Sequence, residues 1–143
     1  MTSQVQTAPL GERTRTYWAG WGMTGLVIAF LLMDATMKLL ALPIVIETSG
    51  PLGFPGADMA QGLGALLLMC TLLHVAPPTA ILGAILLTGY LGGAVATHVR
   101  VGSPLFSHVL FGVYLGVLLW GGLYLRDVRL RVLIPLRRPP SPN

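Results

Sequence analysis

Four long apolar stretches alternate with short segments rich in proline and glycine. The first runs from Trp18 to Leu40 and halts shortly before Pro43; the second, Met59 to Ala76, stops at Pro77 and Pro78. The third covers Thr79 to Val99. The fourth begins near Leu105, after Gly102, Ser103 and Pro104, and reaches Leu125. Each falls within the roughly 17 to 25 residues that a helix needs to cross a bilayer. Proline is a natural stop, because it lacks the amide N–H that would continue the helix. The pattern predicts an all-α integral membrane four-helix bundle. In hydrocarbon a helix keeps its backbone hydrogen bonds to itself, which permits spans this rich in glycine.

The connection from Ala76 to Thr79 is very short, so the second and third spans are expected to form an antiparallel hairpin. Residues 41–58 make the one substantial loop. Its apolar start and its glycines and prolines suggest an extended or re-entrant cap, or a short interfacial segment. Small residues recur at helical spacing, Gly89 with Gly93 and Gly112 with Gly116. Such rows let helix backbones approach closely in lipid, so they are read as packing faces within the chain, with a homo-oligomer seam as the alternative.

Composition removes the soluble alternative. The 143 residues are 54% hydrophobic and only 10% charged, against about 25% charged in a typical soluble domain. The net charge of +4 is clustered. Arg13 and Arg15 precede the first span, and Arg126, Arg129, Arg131, Arg137 and Arg138 follow the last. Clustering of this kind excludes an evenly basic nucleic-acid surface. It fits positive flanks that hold both termini on the cytoplasmic side, which an even number of spans requires. Tyr17, Trp18 and Trp21 at one end and Trp120 and Tyr124 at the other fall at the same expected interface. Residues 1–16 are then a flexible cytoplasmic N-terminus without a cleavable signal, 17–127 the transmembrane domain, and 128–143 a basic interfacial tail ending in disorder. Cys70 is the single cysteine, which excludes an intrachain disulfide and thiol-pair redox chemistry.

Against this background the ionisable residues stand out, because a charge in a membrane is expensive unless it is paired or reaches water. Once the spans are oriented, Asp34, Lys38, His98, Arg100 and His108 all lie near the outer interface. Glu47 belongs to the overlying loop, Gln61 starts the second span, and Tyr90 adds a deeper hydroxyl. Asp34 and Lys38 are spaced for an intrahelical pair. Asp34 could also meet Arg100 or a histidine, and Arg100 could pair with Asp34 or Glu47 or hold the polar head of a ligand. Asp34, His98 and His108 are the candidates for proton transfer. The two histidines could ligate haem or a metal, although no dense ligand cluster is present and a metal site is not expected. His74 stands alone at the inner end and is read as interfacial.

The segments GWGMTGLVIAFLLMDATMKLL (20–40), LGFP (52–55) and LLTGYLGGAVATHVRVGSPLFSHVLFGVYLGVLLWGGLYLRD (86–127) resemble the DoxX-like family of small bacterial membrane proteins. The resemblance spans most of residues 17–135. It implies a four-helix fold in the bacterial inner membrane, with Asp34, Lys38, His98, Arg100, Pro104 and His108 at recurring family positions. It also implies a link to quinone-dependent oxidation of sulfur compounds, or to biogenesis of membrane and redox proteins. The expectation is an accessory protein that binds a small amphipathic ligand, quinone or lipid, through Asp34, Lys38, Glu47, Tyr90, His98, Arg100 and His108. Its partners would be membrane lipids, a second copy of the chain or a membrane redox protein. The alternatives are a membrane isomerase or oxidoreductase, with haem ranked behind quinone as cofactor, and an assembly factor or transporter subunit.

Overall fold

Helix α1 runs from Leu10 to Leu39, starting earlier than the apolar pattern alone indicates. A computed structural model describes residues 10–133, with side chains from Thr14 onward. Nothing between Leu10 and Tyr17 interrupts a helix, so part of the segment expected to be flexible is the first turns of α1. A short helix α2, Pro43–Ser49, follows, then α3, Ala57–Val75, and α4, Ala80–Arg100. Helix α5, Leu110–Arg126, is led in by a π-type turn, Leu105–Val109, in which the Val109 N–H reaches back five residues to the Pro104 carbonyl. Helix α6, Val128–Leu133, closes the described chain. No strand occurs among the described residues, and four helical segments are long and apolar enough to cross a membrane.

The four long helices form a ring. Helix α1 packs on α3 and α5, and α4 packs on the same two, leaving α1 and α4 facing each other across the centre. Val27, Leu31, Leu67, Leu87, Leu119 and Leu123 fill that centre with almost no exposed surface. Backbone proximity decides where the helices meet. A Cβ on Gly20 would lie 2.9 Å from the Gly122 carbonyl oxygen, and one on Gly64 would lie 3.1 Å from the Ala35 carbonyl oxygen. A Cβ on Gly83 would lie 2.2 Å from the backbone nitrogen of His74, which binds α3 and α4 into the expected hairpin. Of the glycine rows anticipated as packing faces, Gly112 alone packs, against Leu91 and Val95, whereas Gly89, Gly93 and Gly116 have no atom within 4 Å of where a Cβ would stand.

Three helix ends at one pole of the bundle share one device. In each, an N–H bonds five residues back and the preceding N–H bonds three back: Leu42 to Met37 with Ala41 to Lys38, Phe54 to Ser49 with Gly53 to Gly50, and Ser103 to His98 with Gly102 to Val99. This C-terminal motif needs one residue with positive φ. Gly53 (φ 92°) and Gly102 (φ 69°) supply it freely, while Ala41 (φ 47°) does so with a side chain, at a cost of about 1 kcal/mol. The loop, expected to be an extended or re-entrant cap or a short interfacial segment, carries helix α2 held between two such turns. We call this pole the cap end and the opposite one, which carries Arg126, Arg129 and Arg131, the basic end.

At the basic end, α6 is tied down by hydrogen bonds. Asp127 accepts from the backbone N–H of Arg129 at 2.9 Å and caps the new helix. Arg129 donates to the Pro77 carbonyl at 3.1 Å, and Arg131 donates to the carbonyls of Tyr124 and Leu125. The start of the tail is thus a docked helix; the rest of the proposed disordered segment, residues 134–143, lies outside the described residues, as do residues 1–9.

Candidate functional site

A cavity of about 790 Å³ occupies the cap end, between α1 and α4 and beneath α2. Its walls are mainly apolar, with Phe30 and Phe111 meeting edge to face at 5.0 Å between ring centres. The polar exceptions come from several elements: Asp34 and Lys38 on α1, Thr48 and Ser49 on α2, Tyr90, Thr97 and His98 on α4, Ser103 on the connection after α4, and His108 on the π turn.

Asp34 and Lys38 form the predicted ion pair, one turn apart on α1 and both half-buried. The pair resolves the cost of two charges at this depth while leaving them in the cavity wall. Tyr90 projects from α4 into the same cavity wall. His98 reaches the cavity from the last turn of α4. The motif that ends this helix turns Ser103 back so that its hydroxyl and His98 Nδ1 share a 3.0 Å hydrogen bond. The π turn then sets His108 beside His98, with ring centres 5.5 Å apart, and Ser107 and His108 Nδ1 share a 2.8 Å hydrogen bond. Two imidazoles at one rim can bind a polar group together or pass a proton between it and water.

A family model described as DoxX-like matches residues 22–122, more than two thirds of the chain. The chain belongs to the DoxX-like family. The matched region contains all four long helices' contributions to the cavity wall. Neither the curated proteins nor the solved structures yield a match to this DoxX-like chain.

Five of the seven anticipated ligand-contact residues converge in this DoxX-like protein: Asp34, Lys38, Tyr90, His98 and His108 line the cavity. Two do not. Glu47 is exposed on the far side of α2 and outside the lining. Arg100 meets neither Asp34 nor Glu47; it donates through Nη2 to the Leu52 carbonyl at 2.7 Å and lies against Gly53. As the last residue of α4 it is exposed and outside the lining, so it fastens the α2 loop from above. Gln61 likewise does structural work, donating to the Leu39 carbonyl at 3.2 Å. The sequence reading passed over Thr48, Ser49, Ser103, Leu52 and Phe54. Leu52 and Phe54 fall in the LGFP segment that carries the family resemblance, and Ser103 stands directly after a glycine and five residues beyond His98; Thr48 and Ser49 had no such signal.

His74 also departs from expectation. It is fully buried, and its Nδ1 lies 3.0 Å from the Ala80 carbonyl across the hairpin, because Gly83 lets α4 press onto the backbone of α3. Arg126 stacks over the Trp21 ring at 4.6 Å, an arrangement worth roughly 0.5–2 kcal/mol. Outside the spans, burial tends to raise the Asp127 carboxyl, but the hydrogen bonds and charge of Arg129 outweigh it and hold it below its ordinary value.

Proposed function

We propose that this DoxX-like protein binds a small amphipathic ligand, a quinone or a lipid, in the cap-end cavity, and serves as an accessory to a membrane redox system. One observation carries the reading: a mainly apolar chamber of about 790 Å³ in a membrane bundle has a few polar groups set in its wall, among them Asp34 and Lys38 on α1, His98 on α4 and His108 on the π turn. Ligand sites combine this kind of apolar wall with a few placed polar groups. The Lys38 ammonium and the histidine and tyrosine donors suit the oxygen acceptors of a quinone ring or a lipid head group. The arginines gathered at the basic end support placing it, with both termini, in the cytoplasm of a bacterial inner membrane, and so the cavity in the outer half of the bilayer.

Small molecules extracted from the purified protein and identified by mass spectrometry test this. Wild type should carry a quinone or a lipid, and Lys38→Met and His98→Ala should each retain about tenfold less, as expected for loss of a hydrogen bond donated to a polar head. Equal contents in all three would sink the proposal.

The paired imidazoles favour one second reading, an enzyme that moves protons through His98 and His108 with Asp34 as acceptor. Each ring uses Nδ1 toward a serine, so transfer would run through Nε2. A haem-based version predicts a Soret band in the purified protein that disappears in His98→Ala or His108→Ala.

A further inference from the structure

Four seams separate the helices of the ring, and at the level of the cavity three are shut. Between α1 and α3, Gly64 sits against the Ala35 carbonyl and the Lys38 Cβ. Between α4 and α5, Gly112 sits against Leu91 and Val95. Between α1 and α5, Phe30 and Phe111 stand edge to face. The fourth seam, α3 with α4, is closed at the basic end by Gly83 on His74. Toward the cap end it opens, and Leu63 is the sole residue α3 gives to the cavity wall.

Helix α4 confirms the direction of the opening. Gly89 and Gly93 belong to the cavity lining and are exposed. Each lies two positions beyond a buried leucine, Leu87 or Leu91, and so about 200° round the helix. The cavity therefore runs out of the bundle past Tyr90 and across the outer surface of α4. With no atom within 4 Å of an added Cβ at either glycine, that surface is an open trough. From above, by contrast, the chamber is roofed: Leu52 and Phe54 line it, and Arg100 bolts their loop in place through the Leu52 carbonyl.

We infer that the ligand loads sideways from the half of the bilayer at the cap end, through the α3–α4 gap, and keeps a long apolar tail in the Gly89–Gly93 trough while its polar head meets Lys38, Tyr90 and His98. The inference rests on the ligand reading above and adds the chemical class: a polar, hydrogen-bond-accepting head on a long apolar tail. A head group lacking a tail would fit the chamber but gain nothing from the trough. Gly93→Leu places a branched side chain in the trough, at the outer edge of the cavity; no atom lies within 4 Å of the added Cβ, so the fold tolerates it.

The test uses full-length protein in proteoliposomes and three probes. The first is a benzoquinone with a decyl tail bearing a diazirine, the second a phosphatidylglycerol with the diazirine at the same depth, and the third the tail-less dimethoxybenzoquinone, followed by saturation-transfer NMR. One tailed probe should crosslink at residues 89–93 of α4 and at the facing turns of α3, and which one does so identifies quinone or phospholipid as the source. Gly93→Leu, and independently Gly89→Leu, should cut that capture about tenfold by obstructing access. Gly116→Leu, equally open but on the α4–α5 side, should leave it unchanged. The tail-less probe should bind wild type and Gly93→Leu alike. Capture concentrated near Gly116 and Val117, or undiminished by both trough variants while the tail-less probe binds, overturns the sideways route and leaves the ligand site standing. Failure of all three probes on wild type overturns both.

Discussion

Lys38 and Asp34 keep 17% and 30% of their side chains exposed, so each still needs the other. Asp34→Asn would leave an ammonium in the cavity wall without its counter-charge, and stability should fall by about 1–3 kcal/mol. Adding Lys38→Met should recover most of the loss, since it removes the charge that Asp34→Asn leaves without a partner. Thermal unfolding in detergent of the two singles and the double reads this directly; a double variant no better than Asp34→Asn would show that the pair is not what the carboxylate supports. This pair was legible in the sequence, because four residues on a helix is a contact distance. The partner of Arg100 was not legible. It is a main-chain carbonyl 48 residues away, and a carbonyl carries no side-chain signature.

Elements at the two poles are held by different chemistry. The cap end relies on backbone turns, and the basic end on the Asp127 carboxylate, which both caps α6 and pairs with Arg129. Its folded-state pKa is lowered relative to the unfolded chain. The stabilisation is therefore present above the unfolded value, about 3.9, and is lost as pH falls through the folded one. The amide protection factors of residues 128–133 should fall in acid below about pH 4 in wild type, and should be low and nearly pH-independent in Asp127→Ala. A wild-type-like acid response in that variant would remove Asp127 from the role. The four spans were readable, and their limits to within a few residues except at the start of α1, because hydrophobic length and proline stops define them while the polar first turns of α1 carry neither signal. Helix α2 was not, since seven residues bounded by turns carry too short a periodic pattern to distinguish a helix from an extended cap.

At the scale of the whole molecule, the tight hairpin and the open seam are two halves of one arrangement: α3 and α4 pinch together at Gly83 and part toward the cap. Gly83→Ala should be far more damaging than its single methyl suggests, because the added carbon would stand 2.2 Å from the His74 backbone nitrogen and the helices cannot both keep their places. We expect a loss of at least about 3 kcal/mol, seen as lower yield and melting temperature, whereas Gly93→Ala should leave both near wild type. Equal effects would contradict the pinch. Which glycines pack and which stay open was beyond the sequence, since both kinds recur at the same helical spacing and only the relative rotation of the helices separates them. The same dependence on rotation governs the π turn at Leu105–Val109, where one residue more than an α-helix holds is wound into the start of α5. Deleting a residue there would turn everything before it by about 100° relative to the rest of the helix. Ser107 and His108 would swing off the rim, while Phe111 and Leu115 kept their stations. Chain length at that single point, with no change in side-chain chemistry, decides whether the second imidazole belongs to the chamber at all.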